Sequence, residues 1–278
     1  MKIGYQGVPG SYSSLASAKF FGNTSFESFG YTTFKELVQA LIDEDVDYIA
    51  LPVENSTSGP ITRTIDLMKY LEVSAVSEIY VKIDHALITK KETKFEDIQI
   101  VYSHPEALEQ CITYLNEIEK LEIKEYHDTA GAVEMVKNSE LTNIAAVAGT
   151  HAAELYDMKV QRENISDNPL NTTRFLIFKK GREPYASHKE KTSIYVETEH
   201  STGSLNEILN IFSKYHINLL YLMSRPIQKK AFSYGFFIDV ERSEKGNLTT
   251  SLNEIREKSM YLNILGTYSP GEPPNFNS

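Results

Sequence analysis

One stretch of the sequence sets hydroxyls and a guanidinium beside an apolar run: Asn171-Thr172-Thr173-Arg174-Phe175, followed by Leu176-Ile177-Phe178. The run predicts a strand that starts near Phe175, so these polar groups fall where a loop meets a sheet. An Arg fork matches a carboxylate, and a neighbouring hydroxyl is able to donate a hydrogen bond. The stretch is therefore suited to binding a small anion. The alternative is a strand end with a solvated Arg, and these residues by themselves do not decide between the two.

Polar loops also follow apolar segments elsewhere in the first part of the chain, and each opens a predicted helix. They are Gly4 to Ser13 (which contains Ser11), Pro52 to Pro60, Ser103-His104-Pro105 and Asp128-Thr129-Ala130. A helix start presents unpaired N–H groups and a positive dipole end, which attract a carboxylate. The alternative is that these residues are ordinary N-caps. In an open parallel sheet such loops gather beyond the carboxyl ends of the strands, which predicts a cleft for a small anion.

The densest polar pair in these loops is Glu54-Asn55. Glu54 is a candidate general acid if burial raises its pKa, and equally a structural acid that accepts backbone hydrogen bonds. The seven histidines show no metal-ligand spacing, the glycines near the amino terminus do not match a dinucleotide fingerprint, and no nucleophile elbow is present. The pattern favours chemistry by positioning and hydrogen bonding, with no metal and no cofactor.

The strands and helices that must position these groups can be predicted from the chain up to about Lys180. Short apolar runs alternate there with amphipathic helical stretches, which predicts an α/β fold with mostly parallel strands. The predicted strands are 2–5, 48–53, 98–102, 143–147 and 174–178. The predicted helices are 34–43, 60–70 and 105–116. Pro60 in the first turn marks the start of the second helix. Ser103 and Glu106 have capping-box spacing at the start of the third.

Residues 181–190 have the polar, Gly- and Pro-punctuated composition of a linker. The remainder has a different order of predicted strands and helices, which indicates a separate compact unit. Its predicted elements are strand 193–198, helix 205–215, strand 218–223, strand 232–240, helix 250–259 and strand 261–265. This βαββαβ order is the ferredoxin-like arrangement.

Length and composition limit the remaining possibilities. The 278 residues suffice for two domains, and a net charge of −10 argues against a nucleic-acid groove. The single cysteine, Cys111, rules out an internal disulfide and falls on the apolar face of a predicted helix. The first residues read as a strand rather than a signal peptide, and no apolar run reaches membrane-spanning length. We therefore expect a cytoplasmic protein that binds neither nucleic acid nor membrane.

Taken together, the motifs resemble those of prephenate dehydratase. They are Gly7-x-x-Gly10-Ser11-Tyr12-Ser13, Leu51 to Ser56 with Gly59, Ser103 to Cys111, and Thr173-Arg174-Phe175. The tail resembles the ACT regulatory domain of the same enzymes through Gly203-Ser204-Leu205 and Ser224-Arg225-Pro226. The resemblance implies an α/β catalytic part, residues 1–180, with two lobes like those of type II periplasmic binding proteins. Lobe one would comprise about 1–80 and 168–180, and lobe two about 81–167. After the linker 181–190, an ACT domain would cover 191–278.

The resemblance also implies a reaction, the conversion of prephenate to phenylpyruvate, water and carbon dioxide in L-phenylalanine biosynthesis. On this basis Arg174 is predicted to anchor the pyruvyl carboxylate, and Thr173 to hydrogen-bond the leaving hydroxyl. Glu54 and Asn55 are the other predicted catalytic residues. The predicted substrate-binding residues are Ser11, Ser56, Ser103, Gln110, Thr172 and Phe175.

The tail departs from the family pattern at three positions, Thr202, Asn206 and Met223. The resemblance still implies that L-phenylalanine binds between paired ACT domains and inhibits the enzyme. The predicted effector residues are Gly203, Ser204, Leu205, Ser224, Arg225 and Pro226. The alternative is a plain dimerisation module. Either function predicts self-association, as a dimer or a tetramer.

Three rival functions remain open at this point. Arogenate, which carries an amino group where prephenate has a keto group, is the nearest alternative substrate. A cytoplasmic amino-acid sensor would bind a ligand without turning it over, and would not need the Thr173 hydroxyl. An NAD-dependent prephenate dehydrogenase is disfavoured because the dinucleotide fingerprint is missing.

Overall fold

The computed structural model describes residues 1–183, 191–228, 230–242 and 247–273. The strands are β1 (Lys2–Gln6), β2 (Glu27–Tyr31), β3 (Tyr48–Asn55), β4 (Gly59–Pro60), β5 (Val73–Lys82), β6 (His85–Thr89), β7 (Ile100–Ser103), β8 (Glu122–Glu125), β9 (Ile144–Gly149), β10 (Lys159–Arg162), β11 (Thr172–Lys180), β12 (Lys191–Glu197), β13 (Ile217–Pro226), β14 (Tyr234–Arg242) and β15 (Tyr261–Tyr268). The helices are α1 (Tyr12–Phe21), α2 (Phe34–Ile42), α3 (Thr62–Met68), α4 (Pro105–Glu109), α5 (Ile112–Asn116), α6 (Thr129–Asn138), α7 (Thr150–Tyr156), α8 (Ser204–Lys214) and α9 (Leu248–Lys258).

The first of two compact units comprises, of the described residues, 1–61, 79–175 and 272–273. One sheet has the order β2-β1-β3-β11-β5, with the short β4 paired to β3. β1 runs parallel to both β2 and β3, so β1 and β3 end at the same edge of the sheet. The β3 end carries Glu54 and Asn55, and β11 begins with Thr172.

The other sheet of this unit has the order β10-β6-β9-β7-β8 and is covered on both faces. Leu87, Val101 and Val147 point to one face, where Leu108 and Leu115 of α4 and α5 pack. The alternate strand residues, such as Ala86 and Ala146, pack against α6 and α7. Because strand side chains alternate between faces, strands covered on both sides read as continuous apolar runs. Both sheets are mixed rather than mostly parallel, since β4 is antiparallel to β3 in the first sheet and β6 is antiparallel to β9 and to β10 in the second.

The second unit comprises residues 62–78 and the described residues within 176–271. Its own sheet is antiparallel, with the order β13-β14-β12-β15. Helices α8 and α9 cover one face through Ile208, Phe212, Leu252 and Ile255. The predicted βαββαβ order is confirmed over the described residues. A glycine is required at 266, because a Cβ there would lie 2.3 Å from the Ala75 carbonyl oxygen.

Two helix predictions were wrong, one in the residue where the helix begins and the other in its continuity. The helix expected at 60–70 begins at Thr62, because Gly59 and Pro60 pair with β3 as strand β4. The helix expected at 105–116 is two helices, divided at Gln110 and Cys111. The predicted capping box is absent, since the His104 ring nitrogen accepts from the Glu106 N–H instead. Of the predicted linker, residues 184–190 lie outside the described residues.

Candidate active site

A chain of side-chain amides crosses the first unit, and its direction is set by the backbone. Asn55 Oδ1 accepts from the backbone N–H groups of Thr57 and Ser58, at 2.9 Å each. Because a backbone N–H is only a donor, the oxygen end of this amide is identified without ambiguity. The other end is therefore an NH₂ group, and it donates to Asn171 Oδ1 at 2.7 Å and to Thr173 Oγ1 at 3.0 Å.

The same direction continues through the next two amides to a histidine. Asn171 Nδ2 donates to Gln110 Oε1 at 2.9 Å, and His85 Nε2 lies 3.2 Å from the same oxygen. An amide oxygen carries no proton, so His85 must donate from Nε2. In the neutral ring Nδ1 is then an acceptor, and it faces the Tyr12 hydroxyl at 3.2 Å.

The imidazole of His85 is neutral at neutral pH. The ring is 2% exposed, and its burial lowers the pKa to about 4, against the smaller raising effect of the Gln110 hydrogen bond. His151, whose ring lies edge-on to Tyr12 at 5.1 Å, also has a pKa lowered by burial. The site therefore holds His85 in the uncharged form.

This pKa predicts a specific dependence of stability on pH. The unfolded chain takes up a proton on His85 below about pH 6.5, whereas the folded chain resists it until about pH 4. The contribution to the free energy of unfolding is complete above pH 6.5 and is lost as the pH falls towards 4, by about 2 kcal/mol between pH 7.5 and pH 5. Urea unfolding of the wild type and of His85→Gln at both pH values measures this loss. Between pH 7.5 and pH 5, the free energy of unfolding of the variant should fall by about 2 kcal/mol less than that of the wild type. An equal fall in the two proteins would contradict the expectation.

Two donors of this cluster are left to serve a ligand. Within the described residues, the Thr173 hydroxyl makes one hydrogen bond and makes it as an acceptor, so its proton is available. The Gln110 amide receives two donors on its oxygen, and its NH₂ group donates to no described residue. Thr173 is 7% exposed. A nearly buried hydroxyl with an uncommitted proton is suited to polarising an oxygen atom of a bound molecule.

Arg174 and Glu54 form an ion pair on the side of β11 opposite to the Thr173 hydroxyl. Arg174 Nη1 donates to Glu54 Oε2 at 3.1 Å, and Arg174 is 8% exposed. Because side chains alternate along a strand, Arg174 and Thr173 point to opposite faces. The pair borders a cavity of about 490 Å³. Its lining residues are Glu54, Ser56, Tyr80, Asn168, Leu170, Thr172, Arg174 and Pro273.

The hydroxyls of Ser56 and Thr172 tie the loop after β3 to the start of β11. Ser56 Oγ accepts from the Thr172 N–H at 2.9 Å, and it donates to the Leu170 carbonyl at 3.2 Å. Thr172 Oγ1 donates to the same carbonyl at 3.1 Å. Both protons are thus used within the protein, and these contacts bring Asn55 into register with Thr173.

Three further predicted residues lie outside the amide chain. Ser103 Oγ donates to the Val147 carbonyl at 2.6 Å and is fully buried. Ser11 caps α1 by accepting from the Ser14 N–H at 3.2 Å. Phe175 packs against Ala16 in the core. Their substrate-binding roles stay predictions. The structure also brings in His85, which no quoted motif contains, and Tyr12, which stands in the first motif but was not predicted as a site residue. Their contacts span 25 and 73 positions of the chain.

The predicted effector residues belong to the second unit. Gly203 has φ +92° directly ahead of α8, whose first residues are Ser204 and Leu205. Ser224, Arg225 and Pro226 end β13, the edge strand of its sheet. Arg225 Nε donates to Asp66 Oδ1 at 3.0 Å, so its guanidinium already has a carboxylate partner.

Comparison with known proteins identifies the family. A family model described as prephenate dehydratase matches residues 3–183. The chain belongs to the prephenate dehydratase family. The resemblance predicted from the motifs is thereby confirmed, and the activity is the dehydration and decarboxylation of prephenate to phenylpyruvate in phenylalanine biosynthesis. The two-lobed α/β catalytic fold followed by a ferredoxin-like sheet is the expected fold class.

Similar proteins extend over nearly the whole chain. "Arogenate dehydratase/prephenate dehydratase 1, chloroplastic" of Arabidopsis thaliana is 35% identical, over 96% of this chain and 72% of its own. The solved structure of GqqA, described as a novel type of quorum quenching acylase, has a TM-score of 0.86 at 28% identity, covering 98% of this chain and 99% of its own. The prephenate dehydratase of Arthrobacter aurescens in complex with L-Phe has a TM-score of 0.86 at 24% identity, covering 97% and 90%.

The described residues include no helix that is long and apolar enough to cross a membrane. They also include no group of three or more His, Cys, Asp or Glu side chains placed to bind a metal ion.

Proposed function

We propose that the Thr173 hydroxyl donates a hydrogen bond to the ring hydroxyl of prephenate as that group leaves. Prephenate is a dianion, and its ring becomes aromatic as hydroxide and carbon dioxide depart. Negative charge therefore develops on the leaving oxygen, and a donor already aimed at it stabilises the transition state. The observation that carries the proposal is the bond from Asn55 Nδ2 to Thr173 Oγ1, because it reserves the Thr173 proton for another acceptor.

Polarisation of the leaving group is a more economical role for Thr173 than full proton transfer, since threonine is a very weak acid. Glu54 was the predicted general acid. Its carboxylate accepts from Arg174 Nη1 at 3.1 Å, on the opposite side of β11 from Thr173, so it is not placed to reach the oxygen that Thr173 would polarise. We therefore assign the departure of the hydroxyl to hydrogen bonding from Thr173, with the Gln110 amide as a second donor to the substrate.

Arg174 has two possible roles in this proposal. The predicted role, anchoring the pyruvyl carboxylate, requires the substrate to reach the opposite side of β11. The alternative is that the Arg174–Glu54 pair aligns β11 with β3, one residue from the Asn55–Thr173 contact. We favour the aligning role. In either case the departing carboxylate should meet few donors, since strong solvation would oppose its loss as carbon dioxide.

We further propose that residues 1–180 form the catalytic domain, in the two lobes predicted above, and that residues 191–278 form an ACT domain that binds L-phenylalanine. The L-Phe complex of the A. aurescens enzyme, which shares the fold, supports this regulation. Because Arg225 is already paired with Asp66, we expect the effector carboxylate to use the N–H groups at the α8 start. The exposed Leu219, Leu220 and Leu222 of β13 support self-association as a dimer or tetramer.

The purified chain is expected to form phenylpyruvate from prephenate without added metal or nucleotide, and L-phenylalanine is expected to slow this reaction. Ultraviolet absorbance of phenylpyruvate measures the rate, with arogenate as the competing substrate. A higher kcat/KM for arogenate would overturn the substrate assignment. Turnover that L-phenylalanine leaves unchanged would remove the effector proposal and leave the catalytic one in place.

A further inference from the structure

His85 lies at the beginning of β6, between two other elements of the first unit. Its Nδ1 faces the Tyr12 hydroxyl of α1, and its Nε2 faces Gln110, the residue after α4. The Tyr12 ring lies edge-on to the imidazole at 5.6 Å. The single Tyr12 hydroxyl proton faces two acceptors, the Asp84 carbonyl at 3.0 Å and His85 Nδ1 at 3.2 Å. The imidazole is thus held on both sides and buried, and it does not reach Thr173 directly.

The orientation of the Gln110 amide depends on what His85 presents to it. The Gln110 oxygen accepts from Asn171 and from His85 together. If His85 carried its proton on Nδ1 instead, a lone pair on Nε2 would face this oxygen and repel it. Rotating the Gln110 amide would relieve that contact, but it would bring an NH₂ group against the Asn171 NH₂. The Asn171 amide is oriented by Asn55, so the conflict has no solution that keeps every donor paired.

We propose that His85 is a positioning residue for the dehydration, and that it acts through Gln110. By donating from Nε2, His85 holds the Gln110 oxygen inward and so directs the Gln110 NH₂ group towards the substrate, on the same cluster as the Thr173 hydroxyl. His85 exchanges no proton with the substrate and does not contact it. This inference rests on the proposed function, since it deepens the role of the amide chain in that reaction.

The surroundings of the ring are consistent with this role. The titratable groups around it are Tyr12, Asp84, Glu106 and His151. Burial is the largest effect on the ring and keeps it uncharged near neutral pH. A neutral imidazole has one N–H, so the donor can be assigned to one nitrogen, whereas a charged ring would donate from both.

The experiment compares two amide replacements at this position with a matched control. His85→Gln can place an NH₂ group near the position of Nε2 and should keep kcat within about threefold of the wild type. His85→Asn is too short to reach Gln110 and should lower kcat by about 10- to 100-fold, as expected for a misplaced substrate contact. His127→Asn is the same change at an exposed histidine and should leave kcat unchanged. Equal losses for His85→Gln and His85→Asn would overturn the proposal.

A double-mutant cycle tests whether His85 acts through Gln110. In a Gln110→Met background, which lacks the amide, His85→Asn should cause less than a twofold further loss of kcat. A further loss as large as that in the wild-type background would show a separate, structural role. Circular dichroism spectra of the four proteins establish that each is folded.

One measurement is independent of activity. The ¹⁵N shifts of the imidazole in the free wild-type protein distinguish a proton on Nε2 from one on Nδ1, and Nε2–H is expected. A proton on Nδ1 would overturn the inference even if the enzyme is active. An inactive wild type with Nε2–H would instead overturn the proposed function, while the assigned orientation of the amide chain would stand.

Discussion

Replacing Thr173 with valine is expected to lower kcat by about 100- to 1,000-fold, with KM changed by less than about threefold. Valine has nearly the same shape but no hydroxyl, so it removes the donor to the leaving oxygen together with the acceptor of one Asn55 N–H. Removing one preorganised donor to a developing negative charge has this effect in other enzymes. A donor used mainly in the transition state affects kcat more than KM. Steady-state rates of phenylpyruvate formation measure both quantities.

Two companion variants make this result specific. Thr173→Ser keeps the hydroxyl and should retain most of the activity, with a modest loss from its freer rotamer. Arg174→Gln distinguishes the two roles of that residue, because an anchor for a carboxylate would raise KM by about 10-fold or more. An aligning role would instead lower kcat with KM little changed. An unchanged kcat in Thr173→Val would remove Thr173 from the mechanism.

Changing Asn55 to aspartate is expected to lower kcat by at least about 100-fold, through a reversal of hydrogen-bond direction. The carboxylate still accepts from the Thr57 and Ser58 N–H groups. It replaces the NH₂ group with an oxygen, however, so Thr173 must now donate to it and has no proton left for the substrate. The new oxygen also repels Asn171 Oδ1, which disturbs the rest of the amide chain.

The control for Asn55→Asp is a variant that adds the same charge elsewhere. Asn143→Asp makes the same change at a position whose amide bonds Gln99, outside the amide chain, and its kcat should match that of the wild type. Thermal unfolding of both variants separates lost activity from lost structure. If Asn55→Asp retains wild-type kcat, the direction of the Asn55–Thr173 bond has no catalytic importance.

Much of the fold was predictable because it depends on local pattern. Apolar runs such as Ile144 to Val147 are covered on both faces, and they read as strands without knowledge of the partners. Strand β2 was missed because most of its residues are exposed and leave no such signal. The helix start at Pro60 was wrong because a long-range pairing with Glu54 competes with a local preference.

The sequence by itself determined which residue types are present at the site, including the Thr173 hydroxyl and the Asn55 and Gln110 amides, and it pointed to the family through their motifs. The tertiary structure alone decided which of these groups meet. Asn55 contacts Thr173 across 118 positions, and alternation along β11 separates Arg174 from that contact. His85 became part of the site for the same reason. Hydrogen-bond direction depends on atoms that folding brings within about 3 Å of each other, and no local sequence pattern encodes that distance.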